Sequence, residues 1–199
     1  MLRVNKTGYI LLKSDLFTAR KSVRITYESK TWVIWRATVT LTTCEYCASM
    51  NGHILAKNDS RIAAIPVHPN CRCYVEAVEA IVAGTATSDG TNGVDFFVAT
   101  YGKLPDNYLG KKNAQKMGWD PKQGNLAEVL PGMLIGGDRY KNRDGRLPEV
   151  PGRVWYEADF DYISGYRNDC RLLYSNDGLI FVTYDHYTTF YEIGLGVIS

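Results

Sequence analysis

The sequence predicts an α+β fold in which short helices are followed by a run of antiparallel strands. An apolar face with helical spacing begins at Val94, and alternation typical of strands takes over after Pro131-Gly132. A later loop ends in Asp177-Gly178, a pair that favours a tight hairpin. Helices followed by antiparallel strands are typical of folds in which the helices pack on one face of a sheet.

The N-terminal part of the chain carries strand patterns instead. Residues 1–20 show no clear period, and we interpret them as a leader or as the end of a truncated helix. In residues 23–27 and 31–41, β-branched and aromatic residues alternate with polar ones, which indicates half-buried strands. A segment rich in cysteine follows, and then a short apolar run over residues 74–83.

Residues 84–93 mark the predicted boundary between two domains. The segment is small, polar and rich in glycine, a composition typical of linkers. We therefore predict a small β-rich domain over residues 1–83, stapled by its cysteines, and a second domain over residues 94–199.

The second domain is predicted to open with a helix. Val94, Phe97, Val98 and Tyr101 lie at i, i+3, i+4 and i+7, and Pro105 ends the pattern. The further elements are helices over residues 110–118 and 125–129, and strands over residues 133–138, 154–161, 169–175, 179–183 and 190–193. Six side chains are assigned to the core: Trp119, Leu126, Ile135, Trp155, Tyr174 and Ile180.

Length and charge restrict the function. With 199 residues and 45% hydrophobic content the chain can bury a core, and no apolar run approaches the roughly 20 residues that span a membrane. The net charge of +2 is uneven: residues 1–89 hold 11 Lys+Arg against 7 Asp+Glu, and residues 90–199 hold 12 against 14. Phosphate binding in the second half must therefore come from a local cluster of cations.

The second half contains the groups that RNA cleavage without a metal requires. Glu157 provides a carboxylate, His186 an imidazole, and Lys111, Arg167 and Arg171 provide fixed cations. A ribose 2′-OH needs a base to take its proton, the leaving 5′-oxygen needs an acid, and the phosphate between them needs positive charge. Most domains of this size hold such residues, so their presence alone is a weak signal.

Four strings around these residues make the signal specific. They are KLPDNY at residues 103–108, IGGD at 135–138, WYEAD at 155–159 and YDHY at 184–187. In this order they closely resemble the barnase-type guanyl-preferring bacterial ribonucleases, and the resemblance covers residues 90–199. It implies N-terminal helices packed on a five-stranded antiparallel sheet.

The resemblance implies a role for each of the five residues. Glu157 is expected to be the general base and His186 the general acid. Lys111, Arg167 and Arg171 are expected to hold the scissile phosphate and its developing negative charge. Each acid or base role is typically worth about 10²–10⁴ in rate.

Further residues are expected to support catalysis and to bind the substrate. By the same resemblance Asp159 orients the two arginines, while Asp138 is expected to tie neighbouring loops together. Guanine is expected to bind the loop of residues 139–145, in which Asp144 stands where the relatives typically have Glu, so a looser contact is expected. Tyr187 is expected to stack on a base. The predicted substrate-binding residues are Tyr140, Lys141, Asn142, Arg143, Asp144 and Tyr187.

The resemblance also implies the reaction and its partners. The 2′-OH of single-stranded RNA attacks the adjacent phosphorus and gives a 2′,3′-cyclic phosphate, which water later opens; no catalytic cofactor is expected. DNA lacks that hydroxyl and is not expected to be cleaved. A cell that makes such an enzyme needs protection, and the implied partner is a small acidic immunity protein of the barstar type, whose carboxylates occupy the phosphate site.

Four of the five cysteines lie in one segment, as Cys44-x2-Cys47 and Cys71-x-Cys73. Four thiolates at this spacing fit a tetrahedral zinc site, with His68 as an alternative ligand. Two disulfides across the same pairs, or free thiols, remain open. A region this small is expected to need a structural staple.

The cysteine segment carries a second resemblance. The strings CEYC at residues 44–47 and HPNCRC at residues 68–73 resemble the cysteine module of phage minor head proteins of the Mu F type, over residues 30–80. Such regions also occur fused to toxin domains. The whole chain is therefore expected to be a toxin, with an adaptor for a phage capsid or a secretion machinery followed by a ribonuclease effector.

The first twenty residues are unlike a secretory signal, because charged residues interrupt their only apolar stretch. We expect the protein to be secreted or phage-delivered without an N-terminal signal peptide and to act in the cytoplasm of the target cell. Two alternatives remain open: a virion structural protein whose C-terminal domain only binds RNA, and a zinc-dependent nucleic-acid binder in the N-terminal half.

Overall fold

The computed structural model describes residues 24–195. The predicted leader over residues 1–20 and the start of the strand predicted at residue 23 lie outside the described residues. The strands are β1 (Thr26–Ala37), β2 (Ile54–Ala56), β3 (Cys73–Val82), β4 (Tyr108–Leu109), β5 (Leu134–Tyr140), β6 (Trp155–Asp159), β7 (Arg171–Ser175), β8 (Ile180–Thr183) and β9 (Tyr191–Gly194). The helices are α1 (Glu45–Met50), α2 (Ser60–Ala63), α3 (Val94–Tyr101), α4 (Lys111–Lys116) and α5 (Leu126–Val129). None of these helices has the length and apolar character needed to cross a membrane.

The nine strands described form one sheet in the order β2-β1-β3-β9-β8-β7-β6-β5-β4. Neighbouring strands are antiparallel except for two parallel pairs, β3 with β9 and β4 with β5. The predicted α+β class is confirmed. The strands β5 to β9 lie where five strands were predicted, but the sheet is wider than five strands because β3 extends it beyond β9 and β4 extends it beyond β5.

The N-terminal strands differ from the sequence prediction. The two strands predicted over residues 23–27 and 31–41 are a single strand, β1, whose register with β3 shifts between Glu28 and Val33. The hydroxyl of Ser29 accepts hydrogen bonds from the backbone N–H groups of Thr31 and Trp32 at this shift, which explains the apparent break in the pattern. The predicted continuation to residue 41 is wrong, because residues 38–41 are exposed and β1 ends at Ala37, with a turn beginning at residue 41.

The segment predicted as a linker, residues 84–93, has fixed contacts. The buried carboxylate of Asp95 in α3 accepts hydrogen bonds from the backbone N–H groups of Gly84 and Ala86, at 2.7 and 3.1 Å. The backbone N–H and the hydroxyl of Ser88 both donate to Asp161, at 2.8 and 2.7 Å. These bonds hold the segment against the second half of the chain, and the position of a domain boundary stays a prediction.

Each face of the sheet has its own core because side chains alternate along a strand. Helix α3 covers one face, where Val98 packs with Leu172 and Val182. On the opposite face, Leu173 and Phe181 belong to a second cluster. Residues from the N-terminal half enter both clusters: Ile81 the first, and Trp32, Ile34, Ile54 and Val78 the second.

Candidate active site

The candidate site lies on the sheet face opposite α3. Trp155, Glu157 and Asp159 alternate along β6 and therefore share one face, and Trp155 packs in the cluster on that face. Glu157 is paired with Leu173 of β7, and Asp159 with Arg171. The strand register thus places the predicted base beside the predicted cation-orienting carboxylate, with the apolar core directly below.

Glu157 is buried at 7% exposure and is held by two donors. Lys111 donates from its ammonium to Oε1, and the Tyr187 hydroxyl donates to Oε2 at 2.6 Å. Burial by itself raises the pKa of Glu157, but these two hydrogen bonds and the charges of Lys111 and Arg167 outweigh it and leave the pKa below its ordinary value. The carboxylate is therefore kept ionised, as a proton acceptor requires.

The position of Lys111 depends on Asp138. Lys111 is the first residue of α4, and its backbone N–H donates to Asp138 Oδ2 at 2.8 Å. In the pairing of β5 with β6 the register shifts between Gly136 and Asp138, and Gly137 between them has a φ of 88°, which glycine adopts without strain. Through this bond Asp138 connects β5 to the start of α4, and its supporting role in the site stays a prediction.

Asp159 holds both arginines. Arg167 makes a bidentate pair with it, Nε to Oδ2 and Nη2 to Oδ1, both at 2.6 Å. Arg171 Nε lies 3.1 Å from Oδ1, and its Nη1 donates to the backbone oxygens of Asn168 and Cys170. Burial opposes the charge of Arg167, but the bonds to Asp159 prevail and raise its pKa. Both guanidinium groups are thus held by Asp159, which lies two residues beyond Glu157 on β6.

His186 lies on a loop with unusual backbone geometry. His186 and Tyr187 have φ values of 52° and 71°, in the left-handed region that residues other than glycine rarely adopt. Asp185 supports the loop by accepting hydrogen bonds from the backbone N–H groups of Thr188 and Thr189, at 3.1 and 2.8 Å. The His186 side chain is exposed, and among the residues that the structure describes its ring nitrogens make no hydrogen bond. The imidazole is therefore accessible to a substrate.

Tyr187 connects the two predicted catalytic residues. Its hydroxyl contacts Glu157, and its ring centroid lies 4.8 Å from that of His186. Its ring also stacks on Tyr140, with centroids 5.2 Å apart and an interplanar angle of 21°. Glu157 and His186 thus both contact the side chain of Tyr187.

The loop predicted to bind guanine begins at the end of β5. Asn142 is buried with a φ of 42°, and its amide bridges the loop by donating to the Leu147 carbonyl and to Glu149 and accepting from the Leu147 N–H. Its side chain is therefore used within the protein, and its carbonyl accepts a hydrogen bond from the Gly145 N–H at 2.9 Å. Lys141, Arg143 and Asp144 are exposed on this loop.

Three residues that sequence reasoning missed complete the site. Arg146 donates from Nη1 to the carbonyls of Tyr187 and Thr188, at 3.3 and 3.0 Å. Asn168 supports Arg171 through its backbone carbonyl. The Tyr108 hydroxyl donates to the Asp159 carbonyl at 2.8 Å. The position of Arg146 directly after the predicted guanine loop is a signal that could have identified it. The contacts of Asn168 and Tyr108 involve backbone carbonyls, and such contacts leave no pattern in the sequence.

The cysteine segment forms a separate cluster of possible metal ligands. Within residues 24–195, two groups of three side chains bring their ligand atoms within 4.8 Å of one another: Cys44, Cys47 and His68, and Cys47, Cys71 and Cys73. All four cysteines are free thiols in the structure. The segment can therefore hold a metal ion away from the face that carries Glu157.

Comparison with known proteins agrees with this arrangement. A family model described as ribonuclease matches residues 97–194. A ribonuclease of Heyndrickxia coagulans is 54% identical over 102 residues, which are 51% of this chain and 94% of that protein. Ribonucleases of Bacillus intermedius and Bacillus pumilus are also 54% identical over 102 residues, and the match spans 63% of each. With most of one such relative covered at this identity, the chain belongs to the ribonuclease family.

Proposed function

We propose that this protein is an endoribonuclease that cleaves single-stranded RNA, after guanosine, by transesterification without a catalytic metal. The observation that carries the proposal is the position of Glu157, ionised between Lys111 and Tyr187, with His186 in contact with the same tyrosine ring. These contacts support a proton acceptor at Glu157 and a proton donor at His186, together with the two guanidinium groups that Asp159 holds.

The proposed reaction assigns one step to each group. Glu157 accepts the proton of the ribose 2′-OH as that oxygen attacks the adjacent phosphorus. The bond from phosphorus to the 5′-oxygen breaks, and His186 donates a proton to the leaving oxygen. Lys111, Arg167 and Arg171 stabilise the negative charge on the phosphate oxygens. In the second step water opens the 2′,3′-cyclic phosphate, with the roles of Glu157 and His186 exchanged.

Guanine selection is proposed to use the loop of residues 139–145. Asn142 fixes the loop from within, and Gly145 donates its N–H to the Asn142 carbonyl at 2.9 Å, so the loop is preorganised. The exposed Asp144 carboxylate is proposed to accept hydrogen bonds from N1–H and the amino group of guanine. Because Tyr187 already stacks on Tyr140, we expect the pair of rings to form the aromatic wall beside the base.

The test uses a dinucleotide with guanosine on the 5′ side. We expect Glu157→Gln and His186→Ala each to lower kcat/KM by about 10²–10⁴, since each removes one proton-transfer step. The control Glu128→Gln, at an exposed position in α5, is expected to retain wild-type activity. A chelator is expected to leave wild-type cleavage unchanged, and a substrate with 2′-deoxyguanosine is expected to give no product.

The same assay separates cleavage from RNA binding. If Glu157→Gln cleaved as fast as wild type, the assignment of Glu157 as the proton acceptor would be overturned. If purified wild type bound single-stranded RNA without cutting it, the domain would be an RNA binder, as in a virion structural protein. Equal rates on dinucleotides that begin with adenosine and with guanosine would overturn the guanine assignment while leaving the ribonuclease proposal standing.

A toxin role is proposed on the strength of the two-part organisation. The adaptor of residues 1–83 would engage a phage capsid or a secretion machinery, and the ribonuclease would act in the cytoplasm of the target cell. An acidic immunity protein of the barstar type is the proposed partner, since Lys111, Arg167 and Arg171 form a cationic site for its carboxylates. Expression in a bacterial host should arrest growth, and co-expression of such an inhibitor should restore it; growth without arrest by an active enzyme would argue against the toxin role.

A further inference from the structure

Five potential metal ligands converge at one end of β1 and β3. Cys44 is the N-cap of α1 and Cys47 lies within that helix, while Cys73 is the first residue of β3. His68 and Cys71 lie in the connection that precedes β3. Residues separated by more than twenty positions thus meet, although α1 and the 68–71 turn share no strand pairing that would bring them together.

Three distances between these atoms are close to the edges of a metal tetrahedron. His68 Nε2 lies 3.2 Å from Cys44 Sγ and 3.3 Å from Cys47 Sγ, and Cys47 Sγ lies 3.9 Å from Cys71 Sγ. Zinc bonds of about 2.3 Å to sulfur and about 2.0–2.1 Å to nitrogen give tetrahedral edges of roughly 3.8 Å between two sulfurs and 3.6 Å between sulfur and nitrogen. The observed separations lie within a few tenths of an ångström of these edges.

The His68 ring is oriented as a metal-bound histidine usually is. Its Nδ1 lies 2.9 Å from the Pro69 carbonyl, which can only accept a hydrogen bond. Nδ1 therefore carries the proton, and the lone pair of Nε2 faces the sulfurs of Cys44 and Cys47. A backbone carbonyl that fixes the second nitrogen in this way is common around zinc-binding histidines.

The backbone supports two of the sulfurs. The N–H of Cys47 donates to Cys44 Sγ at 3.4 Å, and the N–H of Cys73 donates to Cys71 Sγ at 3.5 Å. Such bonds stabilise negative charge on sulfur, which a thiolate ligand carries. The cluster also borders a surface cleft of about 400 Å³, lined in part by Thr38, Thr40 and Arg72, through which an ion can enter.

We propose that Cys44, Cys47, His68 and Cys71 bind one zinc ion. Cys71 and Cys73 both lie in the group of Cys47 and outside that of His68. Cys71 is assigned as the fourth ligand because its Sγ lies 3.9 Å from Cys47 Sγ, close to the expected sulfur–sulfur edge, and Cys73 is left as the fifth thiol. All four tetrahedral positions are then filled by protein, so the ion has a structural role. It links α1 to the 68–71 turn that precedes β3, and the site is independent of the catalytic residues.

The test measures zinc in the full-length protein, purified under reducing conditions without chelator. We expect one zinc per chain in wild type and in the control Cys170→Ser, whose thiol lies outside the cluster. Cys44→Ser, Cys71→Ser and His68→Ala are expected to lose most of the metal, while His68→Cys and Cys73→Ser are expected to retain it. Metal lost from Cys73→Ser but kept by His68→Ala would overturn the ligand assignment in favour of a four-cysteine site.

A second measurement does not depend on the folding of the variants. Cobalt(II) added to metal-free wild type is expected to give the visible absorption of a tetrahedral site with thiolate ligands, and zinc is expected to remove it. Absence of that absorption together with less than a tenth of an equivalent of zinc per chain, or disulfides found by mass spectrometry of the non-reduced protein, would overturn the proposal. RNA cleavage does not enter either readout, so its loss or retention bears only on the ribonuclease proposal.

Discussion

At the scale of single residues, Tyr187 is the side chain on which the geometry of the site depends most. Its hydroxyl holds Glu157, its ring contacts His186, and it stacks on Tyr140. The left-handed backbone conformation of residues 186 and 187 directs the Tyr187 side chain to these contacts, at an energetic cost of about 1–3 kcal/mol for each residue. The surrounding hydrogen bonds of Asp185 offset that cost.

We predict that Tyr187→Phe shifts the acidic limb of the pH–kcat/KM profile to higher pH. Burial raises the pKa of Glu157 and the hydrogen bond from Tyr187 lowers it, so loss of the hydroxyl raises the pKa of Glu157. The base must be ionised, so activity is then lost at a higher pH as the solution is acidified. Because Tyr187→Phe keeps the aromatic ring, a shift of the profile reports the lost hydroxyl and not a loss of stacking.

The control for this measurement is Tyr74→Phe, an exposed tyrosine on β3. Its profile should superimpose on that of wild type. An acidic limb that stays in place, or moves to lower pH, in Tyr187→Phe would show that the hydroxyl does not set the ionisation of Glu157.

Asp159→Asn is predicted to lower both stability and activity. Asp159 is 1% exposed and faces Arg171, which is 3% exposed, so the substitution leaves a buried cation without its carboxylate. Breaking such a pair typically costs about 3–5 kcal/mol, and the lower end is expected here because Arg167 retains contact with solvent. Urea unfolding measures the loss, with the exposed Asp106→Asn as a control; equal midpoints for the two variants would contradict the prediction.

The sequence nominates candidate site residues but not their partners. The strings around Glu157 and His186 single these two residues out through a resemblance, and their catalytic roles stay a prediction. The use of the Asn142 amide within its own loop, and the bond from Tyr187 to Glu157, depend on side-chain directions that only the folded backbone fixes. The sequence shows the members of the cysteine cluster but not whether His68 or Cys73 completes it.

At the scale of elements, the sequence pattern predicted the helices, whose ends depend on nearby residues. Helix α3 begins at Val94 and ends before Gly102, which has the left-handed φ of 68° typical of a helix C-terminus. Helices α4 and α5 fall within the predicted ranges of residues 110–118 and 125–129. The strand β4 was missed because two residues carry no period, and it exists only through its parallel pairing with β5.

The attachment of residues 84–86 to α3 leads to a stability prediction. Asp95→Ala removes the acceptor of the Gly84 and Ala86 N–H groups, and unsatisfied buried groups cost roughly 1–3 kcal/mol. We expect a loss of that size in the free energy of unfolding in urea. Asp89→Ala is the matched control, since Asp89 is exposed and makes no side-chain cap hydrogen bond; a similar loss in both variants would count against the role of Asp95.

At the scale of the whole molecule, the sheet does not divide where the composition changes. Ala80, Ile81 and Val82 of β3 pair with Glu192, Ile193 and Gly194 of β9. Composition marks a polar segment at residues 84–93, but it does not show that the strand before this segment pairs with one more than a hundred residues later. Parallel pairing over that separation leaves no local pattern, so the nine-stranded sheet could not be predicted.

Ile81→Ala is therefore predicted to destabilise the ribonuclease half, although Ile81 precedes the predicted boundary. The side chain is fully buried in the cluster that contains Val98 and Leu172. Truncation of a buried isoleucine typically costs about 2–5 kcal/mol. We expect one cooperative urea transition, seen alike by tryptophan fluorescence and by RNA cleavage, at a lower midpoint. Ile163→Ala, at an 88% exposed position, is the control. Two separate transitions would show that the halves unfold independently.

The same pairing affects how a deletion is interpreted. Removal of residues 1–89 takes away β1, β2 and β3, exposes the edge of β9 and removes Ile81 from the core. Loss of RNA cleavage after this deletion would thus follow from lost stability as well as from lost RNA binding. Point variants that preserve the fold distinguish lost stability from lost RNA binding.

One backbone contact joins the N-terminal half to Arg146, the residue directly after the loop that is proposed to select guanine. The N–H of Ile54 donates to the carbonyl of Arg146 at 2.8 Å, and the Arg146 side chain in turn holds the carbonyls of residues 187 and 188. Ile54 follows α1, whose cysteines belong to the metal cluster. The segment directly after the proposed guanine loop is therefore held partly by a residue outside residues 97–194, the range that the ribonuclease family model matches. A ligand that binds β2 is expected to alter this contact without occupying the surroundings of Glu157.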